Sequence, residues 1–154
     1  MLDCDAGIFK VNGVNSVKDY IPHREPFLFV ENIVEIDDEH IVTELTVRED
    51  FDFFRGHYPG SPIMPGVLMC EAVFQTAGIF MSAKYSSDES ERSKMPILSK
   101  IGQARFKRMI TPGEKIRIEA VPVEIHGVFH VMKGKILNES GQLVMNVDFT
   151  VTRK

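Results

Sequence analysis

A chain of 154 residues with 44% hydrophobic and 26% charged side chains has the make-up of one folded domain with a core of its own, which excludes a disordered or low-complexity protein. Its 18 basic and 22 acidic residues leave a net charge of −4, which argues against general nucleic-acid binding. Two cysteines, Cys4 and Cys70, are too few for a disulfide framework and fit a reducing compartment.

The N-terminus, Met1-Leu2-Asp3-Cys4-Asp5, has neither a basic leader nor an apolar run, so no secretory signal is expected and the protein reads as cytoplasmic. Residues 1–19 are taken as an extension of a single domain covering 1–154. Ser16 followed by Asp19 marks a short helix that Pro22 and Pro26 end. In the run Pro22-His23-Arg24-Glu25-Pro26, Arg24 is expected to brace a turn. His23 is read as structural, because neither a helix terminus nor a buried acid lies beside it in the sequence. Strand character follows at 27–36 and 40–47, rich in β-branched and aromatic residues, with Asp37-Asp38-Glu39 as the hairpin between them.

Between Gly56 and Gly66, glycine and proline recur so closely that no regular element can form. This rigid loop carries His57. Pro65 suits the first position of a helix, and Gly66 with Val67 then offer free backbone N–H groups at the positive end of the helix dipole. The helix is predicted over 67–84, apolar on nearly every side, with Glu71 and Gln75 on one stripe that Gly78 continues. Its length and composition also suit a membrane span. Two polar residues at mid-bilayer are costly, however, and strand-like segments follow, so a buried core helix is expected and no transmembrane segment. Cys70 is then a small core residue.

Residues 85–95, rich in serine and charge, are expected to form a mobile loop. Strands are predicted at 97–109, 115–125, 128–138 and 143–153, separated by turn residues at Thr111-Pro112-Gly113-Glu114, His126-Gly127 and Glu139-Ser140-Gly141-Gln142. The last strand alternates cleanly, with Leu143, Met145, Val147, Phe149 and Val151 on one face. His126 and His130 flank the turn at Gly127 and read as surface residues. No metal-ligand spacing occurs in the loop-and-helix segment, and no metal or other cofactor is required. About six strands against one long apolar helix predict an α+β fold, an antiparallel sheet curled around that helix.

Apolar surroundings disfavour a carboxylate anion, so Glu71 is expected to be paired, protonated or facing a functional cavity. Its plain alternative is a buried acid satisfied by a neighbouring backbone group. With His57 upstream and the helix start at Gly66 between them, a base, an acid and a carbonyl polariser fall within one short segment. Gln75, one turn beyond Glu71, either bonds to it or to the loop, or closes a core polar network.

Four pieces stand in one order from Tyr20 to the C-terminus. They are Ile21-Pro22-His23-Arg24-Glu25-Pro26-Phe27-Leu28, Gly56-His57-Tyr58-Pro59-Gly60-x-Pro62-x-x-Pro65-Gly66-Val67-Leu68, Glu71-Ala72-x-x-Gln75, and Ala104-Arg105-Phe106 followed by Pro112-Gly113. In them the chain resembles the (3R)-hydroxyacyl-acyl carrier protein dehydratases of fatty-acid synthesis, enzymes of the hot-dog fold. Tyr58 stands where the family commonly has phenylalanine, and the N-terminal extension lies outside the family's core. The resemblance implies the general elongation dehydratase, which has glutamate at the position of Glu71. The branch that also isomerises the double bond has aspartate there. Homodimers are implied as well, often three to a hexamer, pairing His57 of one subunit with Glu71 of the other. So is an acyl tunnel along the helix, for which Phe54, Val67 and Phe74 are candidate lining residues. The implied partner, acyl carrier protein, is acidic, which makes Lys100, Arg105, Lys107 and Arg108 candidates for docking it. Their plain alternative is solvated strand charge.

The expected reaction removes water from a 3-hydroxyacyl thioester. It requires a base at C2, an acid at the C3 oxygen and stabilisation of negative charge on the thioester oxygen. His57, Glu71 and the Gly66 N–H fit these three tasks, with acid and base exchangeable. One rival is a thioesterase on the same fold, in which a carboxylate activates water; product analysis separates the two. Another is a non-catalytic acyl-binding or scaffold module, which has no use for a buried acid.

Overall fold

The computed structural model describes residues 16–154; Cys4 and most of the N-terminal extension lie outside them. Ser16 caps a one-turn helix, α1 (Val17–Tyr20), by accepting the Lys18 N–H. After an extended stretch come β1 (Asn32–Ile36), β2 (Ile41–Thr46), a 3-10 turn at Asp52–Arg55 and the long helix α2 (Gly66–Lys84). A second short helix, α3 (Glu89–Arg92), precedes β3 (Pro96–Phe106), β4 (Lys115–His126), β5 (Phe129–Asn138) and β6 (Leu143–Arg153).

The six strands form one sheet in the order β1-β2-β4-β5-β6-β3, with every neighbouring pair antiparallel. α2 supplies Met69, Ala72, Val73, Ala77, Phe80 and Met81 to a core shared with Ile116, Ile118, Met132, Ile136, Met145 and Val147 of the strands. This is the hot-dog fold, and it explains the helix's lack of a polar face. A helix with protein on most sides has no reason to segregate polar residues. By length and composition α2 is apolar enough to cross a membrane; here the sheet covers it.

Helix and sheet approach closely at Gly134. A Cβ there would lie 2.1 Å from Val73 Cγ1 and 3.2 Å from the Glu119 carbonyl oxygen, so only glycine allows this approach. Nearby, the buried Thr76 hydroxyl donates to the Ala72 carbonyl (2.9 Å) and accepts from Thr43 (2.7 Å). Two polar side chains in the core are thereby satisfied, as burial demands.

Several boundaries differ from expectation for local reasons. Pro65 is the cap residue of α2 rather than its first helical residue, with φ −58° and ψ 133°. β1 is shorter than the predicted run, because Phe27 and Phe29 give their backbone groups to Gln75 on α2. Strand-type pairing begins only where Glu31 N–H meets the Glu44 carbonyl. β3 stops at Phe106, since Lys107 and Arg108 N–H both converge on the Val144 carbonyl and end the ladder. The segment expected as a loop at 85–95 contains α3, whose N-terminus is capped by the Asp88 carboxylate. The alternation of β6 holds from Met145 to Val151, while Val144, Thr152 and Arg153 are buried as well.

Candidate active site

The loop ahead of α2 is held by backbone bonds. Gly56 and His57 N–H both reach the Phe53 carbonyl, Ser61 N–H reaches Tyr58, and Met64 N–H reaches Ile110 at 2.8 Å. Tyr58 has a φ of 54°, a left-handed conformation that costs a residue other than glycine about 1–3 kcal/mol. Its ring centroid lies 4.4 Å from that of His57. His57 Nδ1 is 2.8 Å from the Ile63 carbonyl oxygen. A carbonyl can only accept, so in the neutral ring Nδ1 carries the proton and Nε2 keeps a free lone pair. The half-buried imidazole can thus accept a proton at Nε2.

At the start of α2 the N–H groups of Gly66 and Val67 have no acceptor inside the helix. A Cβ at Gly66 would meet the Phe106 ring at 3.0 Å, so glycine lets Phe106 lie against the helix tip. Further along, Glu71 Oε1 accepts from Gln75 Nε2 at 3.0 Å and lies 3.5 Å from His23 Nε2. Gln75 is buried; its other amide hydrogen goes to the Phe27 carbonyl (3.1 Å) and its oxygen accepts Phe29 N–H (2.8 Å). The Phe29 donor fixes which way the amide faces, and so presents nitrogen to Glu71. Both sequence readings of Gln75 hold at once: it bonds Glu71 and closes a polar network. Beside them opens a largely apolar cavity of ≈ 290 Å³ lined by His23, Glu71, Phe74 and Gly78, with Ile21, Pro22, Met95, the start of β3 and Val151 of β6 as its other walls.

Within one chain the structure does not join His57 to Glu71. Glu71 meets Gln75 and His23, while His57 bonds to Ile63 and lies outside the cavity lining. Of the tunnel candidates, Phe74 lines the cavity and packs on Phe149. Phe54 is buried instead against Phe53, with ring centroids 4.4 Å apart, and Val67 is 75% exposed; neither lines the cavity. Lys100, Arg105, Lys107 and Arg108 are all exposed. The last two, with Phe106, Met109 and Thr111, line an open groove that Phe106 connects to the helix tip.

Two histidine readings are corrected. An acid does lie beside His23, because residues 21–29 fold back over α2, a contact that no local pattern could reveal. Arg24 braces that turn as expected, donating to the Ile21, His23 and Lys18 carbonyls. His130 is only 4% exposed, with the Tyr85 hydroxyl 2.8 Å from its Nε2. Burial, and then the Arg153 charge, push its pKa down. The alternation of β5 places it on the same face as Met132, Gly134 and Ile136, a signal present in the sequence. Outside the cavity, Glu35, Asp37 and His40 gather at the β1–β2 turn within reach of one another. There Asp37 already caps the Glu39 and His40 N–H groups.

The FabA-like domain family matches residues 21–153. The chain is 37% identical over 138 residues, 87% of its length and 90% of the relative's, to 3-hydroxyacyl-[acyl-carrier-protein] dehydratase FabZ of Bacillus pumilus. It is 34% identical to the FabZ dehydratase of Streptococcus sanguinis, covering 79% of this chain and 84% of the other. Among solved structures it superposes on the dehydratase heterocomplex ApeI:P from Xenorhabdus doucetiae with a TM-score of 0.76 at 18% identity, over 92% of this chain and 93% of that one. A hypothetical thioesterase with coenzyme A from Streptococcus pneumoniae gives 0.62 at 15% identity, over 80% and 84%. These two structural likenesses concern the fold.

Proposed function

Because this chain belongs to the FabA-like family, in the company of FabZ dehydratases that match most of its length, we propose that it dehydrates (3R)-3-hydroxyacyl-acyl carrier protein to trans-2-enoyl-acyl carrier protein in fatty-acid elongation. The observation that carries this reading is the bond from His57 Nδ1 to the Ile63 carbonyl, which leaves Nε2 as a proton acceptor near a helix start. Nε2 takes the C2 proton, and negative charge moves onto the thioester oxygen, held by the Gly66 N–H. As the charge returns to form the C2–C3 double bond, the C3–O bond breaks and Glu71 protonates the departing hydroxyl, which leaves as water. Gln75 orients the carboxyl that does this. Phe74 lies along the acyl chain, and Phe54 and Val67 act from outside the cavity of the single chain.

The enzyme works as a homodimer in which His57 and Glu71 come from different subunits. Support comes from the edge strand β3, where Ile97, Leu98, Ile101 and Phe106 are exposed along a strand edge that would invite a second copy. Three dimers assemble into a hexamer, a size that light scattering measures. In the cytoplasm the acidic carrier protein docks on Lys100, Arg105, Lys107 and Arg108, and residues 1–154 act as one domain.

Chromatography of products from a 3-hydroxyacyl thioester tests the reading. An enoyl thioester is expected; free thiol would instead identify a thioesterase. His57→Ala and Glu71→Gln should each lower turnover by about a hundredfold or more with an unchanged circular dichroism spectrum. Full activity in either variant would refute the scheme.

A further inference from the structure

His23 lies beside the Glu71 carboxyl, with its Nε2 3.5 Å from Glu71 Oε1. Its other ring nitrogen, Nδ1, is buried without a hydrogen-bond partner among the described residues. A buried polar atom of this kind contributes nothing to folding and costs desolvation, so the ring's value has to be sought at Nε2. At 3.5 Å the Nε2–Oε1 approach is an ion-pair-range contact, longer than an ordinary hydrogen bond; the tautomer with its proton on Nε2 puts an N–H on the side of Glu71 and leaves a bare lone pair at Nδ1. The ring stacks near Phe27, with centroids 6.5 Å apart and planes 21° from parallel, and it lines the same cavity as Glu71.

We propose that His23 is a positioning residue for Glu71: together with Gln75 it anchors Oε1, so that Oε2 is the oxygen that handles the substrate proton. This rests on the dehydratase reading and extends it, because that reading assigns His23 no part. The arrangement divides one carboxyl into a held oxygen and a working one. Both holding groups belong to the subunit that carries Glu71, since Gln75 shares its helix and the 21–29 segment is pinned to that helix. The pinning is independent of the imidazole. Among the described residues Arg24 bonds to backbone carbonyls, Gln75 holds the Phe27 and Phe29 backbone, and Ile21 packs at Gly78. Glu25 of the segment pairs with Lys18 of α1 at 2.8 Å.

Two variants and two readouts test this. His23→Phe keeps a flat ring on Phe27 and removes Nε2, whereas His23→Gln places an amide N–H near the same point. In His23→Phe, kcat should fall about ten- to a hundredfold with KM little changed. Removal of an N–H donor from a carboxylate raises its pKa, so the limb of the pH profile that reports Glu71 should move to higher pH. His23→Gln should recover most of both. Wild-type kcat in His23→Phe, or equal losses in the two variants, would overturn the proposal. A wild-type protein inactive on 3-hydroxyacyl and enoyl thioesters alike would defeat the dehydratase reading. The His23–Glu71 link is then still decided by the Glu71 carboxyl titration, followed by ¹³C NMR. An upward shift in His23→Phe that His23→Gln reverses supports the link, and an unmoved titration refutes it.

Discussion

His130 sits in a small polar group under the end of α2, between the Tyr85 hydroxyl and the Arg153 guanidinium that lies 3.9 Å from the Tyr85 ring centroid. Burial holds its pKa below the ordinary value of a histidine. Between that depressed value and the ordinary one of about 6.5, the unfolded chain binds a proton that the folded chain does not. The stability His130 contributes is therefore complete above about pH 6.5 and is lost as pH falls towards the depressed value. The melting temperature of the wild type should drop between about pH 7 and 5 more steeply than that of His130→Gln; parallel curves would show that another group sets the slope. Single residues differed in how plainly the sequence announced them. His57 and Glu71 stood out, one on a loop of glycine and proline and the other as an acid in an apolar helix. His23 did not, since the carboxyl it meets lies in a distant part of the chain.

At the scale of elements, the meeting of α2 with β5 depends on one missing methyl group. Gly134→Ala would press a Cβ into Val73, a β-branched residue with little freedom to move aside. Overpacking of this kind costs about 1–3 kcal/mol, which urea unfolding at equilibrium measures. Val73→Ala in the same chain should return part of the loss, and a Gly134→Ala protein as stable as the wild type would show that the helix can shift. Turn residues and period-two alternation located the strands closely, because hairpin registers are local properties. β1 was the exception: it begins late because its forerunner pairs with the Gln75 side chain, which no strand pattern encodes.

For the molecule as a whole, the proposed pairing of His57 and Glu71 from different subunits would make assembly a condition of activity. Mixing inactive His57→Ala with inactive Glu71→Gln under conditions of subunit exchange should restore about a quarter of wild-type activity, since half the dimers are mixed and each holds one intact site. A site built within one subunit would stay dead in every mixture. A charge placed among the solvent-facing Ile97, Leu98, Ile101 and Phe106 of the β3 edge, such as Ile101→Asp, should give a folded monomer without activity.

From the sequence alone came the order of the strands, the apolar helix to be wrapped by a sheet, and the histidine, glutamate and helix start proposed to carry the chemistry. All of these rest on spacing along the chain, where sterics and periodicity act over a few residues. The tertiary structure decided which nitrogen of His57 is free, which way Gln75 faces, and that His23 stands beside Glu71. Those depend on where distant backbone groups come to rest once the sheet closes on its helix, and no short-range rule contains that information.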